Sequence, residues 1–145
     1  MAGCPLFAIE GGFVIHGNCS EDYKKHALKT RYRRKDYLKR IKRSELVFNT
    51  PSVHDCHGWK LGEYLAMGKA IISTPISNAL PAELVDRQHL YIVNNPEDMT
   101  NAVQMLLSDK EKMNYLREQA SLYYSQYAKP EIVIRNIVDK YKKTQ

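Results

Sequence analysis

Apolar positions along the chain alternate between a strand period and a helix period. Leu46-Val47-Phe48-Asn49 is a short β-prone run closed by Thr50-Pro51, where proline withholds a ladder donor. From Trp59 to Met67 the apolar residues Leu61, Tyr64 and Leu65 fall at i, i+3 and i+4, the spacing of one helix face. Gly68 suits the left-handed residue just past a helix end, and Lys69 sits beside the exposed carbonyls there. Ala70-Ile71-Ile72-Ser73 predicts a second strand, stopped before Pro75. Two short strands joined through a helix form a right-handed βαβ unit with parallel strands. Such a sheet binds ligands outside the carboxyl ends of its strands, which here means Asn49 to Gly58 and Thr74 to Asn78.

The flanking sequence extends this frame. Phe13 to Gly17 predicts a strand ending at a turn, and Asn18 to Thr30 a loop or irregular helix. Tyr32 to Arg43 reads as an amphipathic helix, with Tyr37, Leu38 and Ile41 on one face. After the loop Ile76 to Leu80, Pro81 suits the first turn of a short helix ending at Val85. His89 to Val93 predicts a third strand, followed by a turn at Asn94-Asn95-Pro96. Three helices close the chain. Glu97 to Leu107 turns Met99, Ala102, Val103, Leu106 and Leu107 inward, and Asp109 to Gln126 turns in Met113, Leu116, Ala120 and Tyr124. Pro130 to Lys140 carries Ile132, Val133 and Ile137, a stripe that Tyr141 continues. The alternation predicts an α/β, three-layer Rossmann-like domain with a parallel sheet and C-terminal helices, spanning residues 1–145 with an atypical start over 1–30.

Charge changes the picture in one place. The net charge is +6, and Lys24 to Arg43 holds eleven Lys and Arg against the single acid Asp36. Such a patch attracts nucleic acid, anionic lipid or a phosphorylated substrate, or is a solvated helix face. No RNA- or DNA-binding signature accompanies it, so nucleic acid is the weakest of these. Cys4, Cys19 and Cys56 have no CxxC spacing and read as free thiols in a reducing cytoplasm. No apolar run is long enough to cross a bilayer, and Met1 to Glu10 lacks the plan of a signal peptide. The expected location is cytoplasmic, with peripheral contact to the inner face of the membrane through Arg31 to Arg43.

The candidate chemistry lies between Asp55 and Glu63. Gly58 stands at the predicted helix entrance, and Lys60 in its first turn. A helix N-terminus offers unpaired N–H groups and partial positive charge, which suit a phosphate; glycine lets the backbone approach it. Lys60 adds a full charge, and Glu63, one turn deeper, suits a vicinal diol such as ribose. Trp59 is simplest as a partly buried aromatic, with stacking on a base or sugar as the alternative. Lys60 and Glu63 also satisfy the spacing of an ordinary surface ion pair, and Asp55 that of a turn or capping residue. Thr50, Ser52, Thr74, Ser77 and Asn78 lie in loops suited to sugar or phosphate contacts. His54, Asp55, Cys56 and His57 are adjacent, which does not let four ligands converge on one tetrahedral metal; Cys56 has no partner that would make it a nucleophile.

The run Asp55-Cys-His-Gly-Trp-Lys-Leu-Gly-Glu63, continued by Tyr64-Leu-Ala-Met-Gly-Lys-Ala-Ile-Ile, resembles the E-x7-E region of group-one, retaining glycosyltransferases of the GT-B fold. The resemblance covers roughly Tyr37 to Tyr127 and implies the donor-binding half of such an enzyme. It implies transfer of a sugar, with retention, from a nucleoside-diphosphate donor in cell-surface polysaccharide synthesis. Glu63 would hold the donor ribose, Asp55 would face the transferred sugar, and the Gly58, Trp59 and Lys60 amides the diphosphate, with no metal or cofactor required. Glu83, in Pro81-Ala82-Glu83, stands where such enzymes carry Pro-Glu. The sequence departs from the pattern in two places: Asp55 replaces the first glutamate, and Ser77-Asn78-Ala79-Leu80 replaces a glycine-rich turn. The acceptor-binding domain is expected to come from elsewhere, which leaves the chain incomplete and inactive alone. The competing expectation is a non-catalytic binding module or partner subunit.

Overall fold

The computed structural model describes residues 8–12, 14–15 and 19–143. They divide into two units, Met1–Arg43 and Ser44–Gln145.

In the first unit, α1 (Glu21–Lys24) is a single turn and α2 (Arg34–Arg43) is the amphipathic helix. Its inward stripe forms as the periodicity requires: Ile41 is buried, and Tyr37 and Leu38 are partly so. Basic side chains are held within the unit. Glu10 accepts from Arg40 at 2.9 Å and Arg43 at 3.4 Å, and the Arg40 guanidinium lies 4.3 Å from the centre of the Tyr32 ring. Of the strand expected at Phe13 to Gly17, Phe13, His16 and Gly17 lie outside the described residues; Val14 and Ile15 belong to no strand.

The second unit is a three-stranded parallel sheet in the order β1 (Leu46–Asn49), β2 (Ala70–Ser73), β3 (Tyr91–Ile92). Leu46 pairs with Ala70 and Asn49 with Ser73; Ile72 pairs with Tyr91. Helix α3 (Trp59–Ala66) joins β1 to β2; α4 (Pro96–Ser108), α5 (Lys110–Tyr123) and α6 (Pro130–Lys142) follow β3. The central strand is buried at every position. Ala70 and Ile72, on one face, meet Ala102 and Leu106 of α4 and Met113 and Leu116 of α5. Ile71, which the pleat turns to the other face, is fully buried as well. On β1, by contrast, Phe48 is exposed.

The elements end for visible reasons. Gly68 has φ +57°, and the amides of Met67, Gly68 and Lys69 return to the carbonyls of Glu63, Leu65 and Tyr64, closing α3. The Lys69 backbone thus serves the helix end, while its buried ammonium donates to the Ser44 carbonyl at 2.9 Å, before β1. Asn95 caps α4 by accepting from the Asp98 amide, with Pro96 in the first turn; Asp109 caps α5 by accepting from the Lys112 amide.

Three expectations change. Pro81 to Val85 forms no helix but an irregular segment, because its bonds go to side chains from elsewhere in the unit. Helix α5 ends at Tyr123 and widens into a π-turn, Tyr124–Ala128. Tyr123, not Tyr124, is the buried ring, completing a 3-4-3 spacing from Met113 through Leu116 and Ala120. The stripe of α6 is not packed away: Ile137 and Tyr141 are exposed.

Gly68 and Gly62 test this account. An added Cβ at Gly68 would come within 2.3 Å of the Ser121 hydroxyl on α5, whereas one at Gly62 meets open space. Gly68→Ala should lower stability by about 1–3 kcal/mol in urea unfolding, while Gly62→Ala raises it by about 0.5–1 kcal/mol as a helix-interior substitution.

Candidate functional site

The carboxyl ends of β1 and β2 are tied by a closed set of hydrogen bonds. Asn49 Nδ2 donates to Ser73 Oγ at 3.0 Å, and the Ser73 hydroxyl donates to the Thr74 carbonyl at 2.7 Å. The Thr74 amide donates back to the Asn49 carbonyl at 3.3 Å, and the Val93 amide to the Ser73 carbonyl at 2.9 Å. Asn49 is 3% exposed and Ser73 is fully buried. Two buried acceptors in this cluster, Asn49 Oδ1 and Thr74 Oγ1, have no hydrogen-bond partner among the described residues. Leaving such atoms unmatched costs about 1–3 kcal/mol each.

Helix α3 starts beside this edge. Gly58 is its N-cap, in an extended conformation with no side-chain cap and no acid in the first turn. Among the described residues nothing lies within 4 Å of where a Gly58 side chain would be. Asn95 and Asp109 cap α4 and α5 with their side chains, and Gly58 supplies no such cap to α3. Lys60 turns back from it to donate to Thr50 Oγ1, just after β1, at 3.2 Å. Burial lowers its pKa from the ordinary lysine value. No ion pair joins it to Glu63, so the ordinary i,i+3 pairing is not what holds these two residues.

The loop between β1 and α3 is unusual. His54 and Asp55 both have left-handed backbones, at φ +56° and +54°, which non-glycine residues adopt at a cost of about 1–3 kcal/mol. The loop is closed by the Ser52 amide donating to the Cys56 carbonyl at 2.8 Å. It is pinned to the loop after β2, since Asn78 Nδ2 donates to the Asp55 carbonyl at 2.6 Å and His57 Nε2–H to the Ala79 carbonyl at 3.2 Å. Among the described residues no three His, Cys, Asp or Glu side chains are grouped to hold a metal.

The fold thus gathers the expected residues unevenly. Gly58 and Lys60 flank the polar edge of the sheet. Glu63 is half-buried on α3, and Asp55 is exposed on the pinned loop. Trp59 is 80% exposed and not partly buried as its apolar character suggested, because the α3 stripe that packs is Leu61, Tyr64 and Leu65. Glu83 is exposed on the irregular segment after β2, which is fastened to α5. Asn49 was missed in the sequence, where it reads as the polar end of an apolar run; an asparagine at the last position of a parallel strand was the signal available. A separate recess of about 450 Å³ lies between β3 and α4, away from all of these residues. Its carboxylates are already engaged: Asp86 accepts from the Ile92 amide and Asp98 from the Asn94 amide.

The sequence matches the family model described as "Glycosyl transferase-like" over residues 5–138. The chain belongs to the glycosyl transferase-like family. No curated protein matches it. The parallel sheet flanked by helices is the architecture of one Rossmann-like half of a GT-B glycosyltransferase. A sugar donor is the class of ligand that this membership implies in general. Among the described residues no helix is long and apolar enough to cross a membrane.

One titration follows from the segment that carries Glu83. His89 Nδ1 accepts from the Val85 amide at 2.9 Å, so it must be unprotonated, and burial lowers the ring's pKa from 6.5. The folded chain prefers the neutral ring. This contribution is complete above the unfolded value of about 6.5 and is lost as pH falls from there through the folded pKa. Protection of the Val85 amide, taken as its exchange rate against the intrinsic rate at each pH, should fall over that window, and His89→Gln should remove this pH dependence.

Proposed function

We propose that Ser44–Gln145 is the donor-binding part of a retaining glycosyltransferase, holding a nucleoside-diphosphate sugar at the carboxyl ends of β1 and β2. The observation that supports it best is the polar edge itself. A partly buried lysine and a helix tip without a side-chain cap belong to α3, and two buried acceptors with no partner among the described residues stand at the end of β1 and just after β2. An anion suits the lysine and the amides, and hydroxyl groups suit the acceptors. A nucleotide sugar carries both.

In this reading the diphosphate sits against the Gly58, Trp59 and Lys60 amides and the Lys60 ammonium. Glu63 takes the ribose hydroxyls, and Asp55 and Glu83 face the transferred sugar. As the bond to the sugar breaks, negative charge grows on the departing diphosphate. Fixed N–H dipoles and a lysine in a partly desolvated site stabilise that charge without reorganising. The acceptor is then bound by a further domain, and the product is a cell-surface polysaccharide. The basic face of α2 makes a peripheral contact with an anionic membrane on the cytoplasmic side.

Titration calorimetry with uridine and guanosine diphosphates tests the donor site. One of them should bind, and Lys60→Ala should weaken it about 10- to 100-fold, the loss of one charge-assisted hydrogen bond. Glu63→Ala should weaken it as well; unchanged affinity in both variants removes the donor assignment. Turnover by the chain alone would contradict dependence on a further domain, and nucleotide binding with no turnover in any assembly would favour a non-catalytic module. Sedimentation with phosphatidylserine vesicles should capture the chain at low ionic strength and release it as salt is added; capture that ignores salt removes the membrane contact.

A further inference from the structure

Pro81 to Val85 has neither helix nor ladder to fix it, yet it carries Glu83. Its backbone is held by two side chains. The Tyr123 hydroxyl, at the end of α5, donates to the Ala82 carbonyl at 2.5 Å. His89 accepts from the Val85 amide. The two rings touch, with centroids 5.1 Å apart and planes tilted by 58°, and the Tyr127 ring also packs on Tyr123, with centroids 5.4 Å apart. Tyr123 is 1% exposed, so its hydroxyl has little competition from water.

The spacing gives this contact its consequence. Ala82 and Val85 bracket Glu83 and Leu84, so two anchored points three residues apart leave the Glu83 backbone little freedom. The same anchor explains why a segment that opens like a helix does not become one. The Ala82 carbonyl is used by α5, and the Val85 amide, which would close the first helical turn, is used by an imidazole. A buried tyrosine is more than filler here. Phenylalanine would fill the same space and leave the Ala82 carbonyl without this donor.

Resting on the donor-site reading above, we propose that Tyr123 is a positioning residue: its hydroxyl, backed by His89, holds the segment in the one placement from which Glu83 reaches the donor's sugar. Glu83 makes the contact; Tyr123 acts only through it.

A double-variant cycle read by calorimetry tests this, with uridine diphosphate glucose and guanosine diphosphate mannose as probes. Whichever binds the wild-type chain should bind Tyr123→Phe about 3- to 10-fold more weakly and Glu83→Gln more weakly as well. In the Glu83→Gln background, Tyr123→Phe should cost less than about twofold further, as expected when one residue works through another. Amide exchange at Glu83 to Val85 should rise in Tyr123→Phe while that of Leu106 in the α4 core does not. Full additivity of the two substitutions, unchanged affinity in either single variant, or unchanged exchange overturns the positioning role and leaves the donor site standing. Binding of neither probe by the wild-type chain overturns the donor reading, and the role of Tyr123 with it.

Discussion

Burial of β2 on both faces is the constraint from which the rest of the second unit follows. Four residues, Ala70 to Ser73, are enclosed along their whole length, and a strand so short stays in register only because each face has a fixed partner. Ala70 and Ile72 are claimed by α4 and α5. A slip of one residue would turn Ile71 and Ser73 toward that core instead, exchanging a serine for an isoleucine among apolar side chains. Register then sets Ser73 opposite Asn49, and that pair brings the polar edge together. Gly68 belongs to the same constraint: its left-handed turn lets the chain leave α3 and enter β2 while passing close to Ser121 on α5.

On that frame, closed and open ends are distributed unequally. Asn95 and Asp109 occupy the first amides of α4 and α5, which spend their N-termini on structure. Gly58 leaves α3 without such a cap. The neighbouring loop holds two consecutive left-handed non-glycine residues and is fastened to the loop after β2 by Asn78 and His57. Backbone strain of this kind persists only where the surroundings over-determine it. The segment with Glu83 is stiffened by different means, through Tyr123 and His89. The loop after β1 and the segment after β2 are thus held by different sets of contacts.

Elements whose cause is local were legible in the chain. The 3-4 spacing of Leu61, Tyr64 and Leu65, the apolar runs of β1 and β2, and the Gly68 stop specify themselves within a few residues, and the resulting strand–helix–strand unit carries Gly58, Lys60 and Glu63. The family match over residues 5–138 agrees with the resemblance drawn from that same stretch. Elements whose cause is distant were misread. Pro81 to Val85 has the opening of a helix and becomes irregular because residues up to 41 positions away take its hydrogen-bonding groups. The exposure of Trp59 has a local cause instead, since its ring lies off the stripe of Leu61, Tyr64 and Leu65 that packs.

By itself, then, the sequence determined the strand–helix–strand unit of β1, α3 and β2 and their parallel pairing, because periodicity and glycine placement act over one or two turns, and the motif in that unit pointed to the family. Only the tertiary structure decided that Lys60 turns to Thr50 rather than Glu63, that Asn49 and Thr74 are left with buried unmatched oxygens, and that Tyr123 anchors the Glu83 segment. Those outcomes depend on which polar groups meet across the fold after burial has removed water as a partner. No spacing along the chain encodes that.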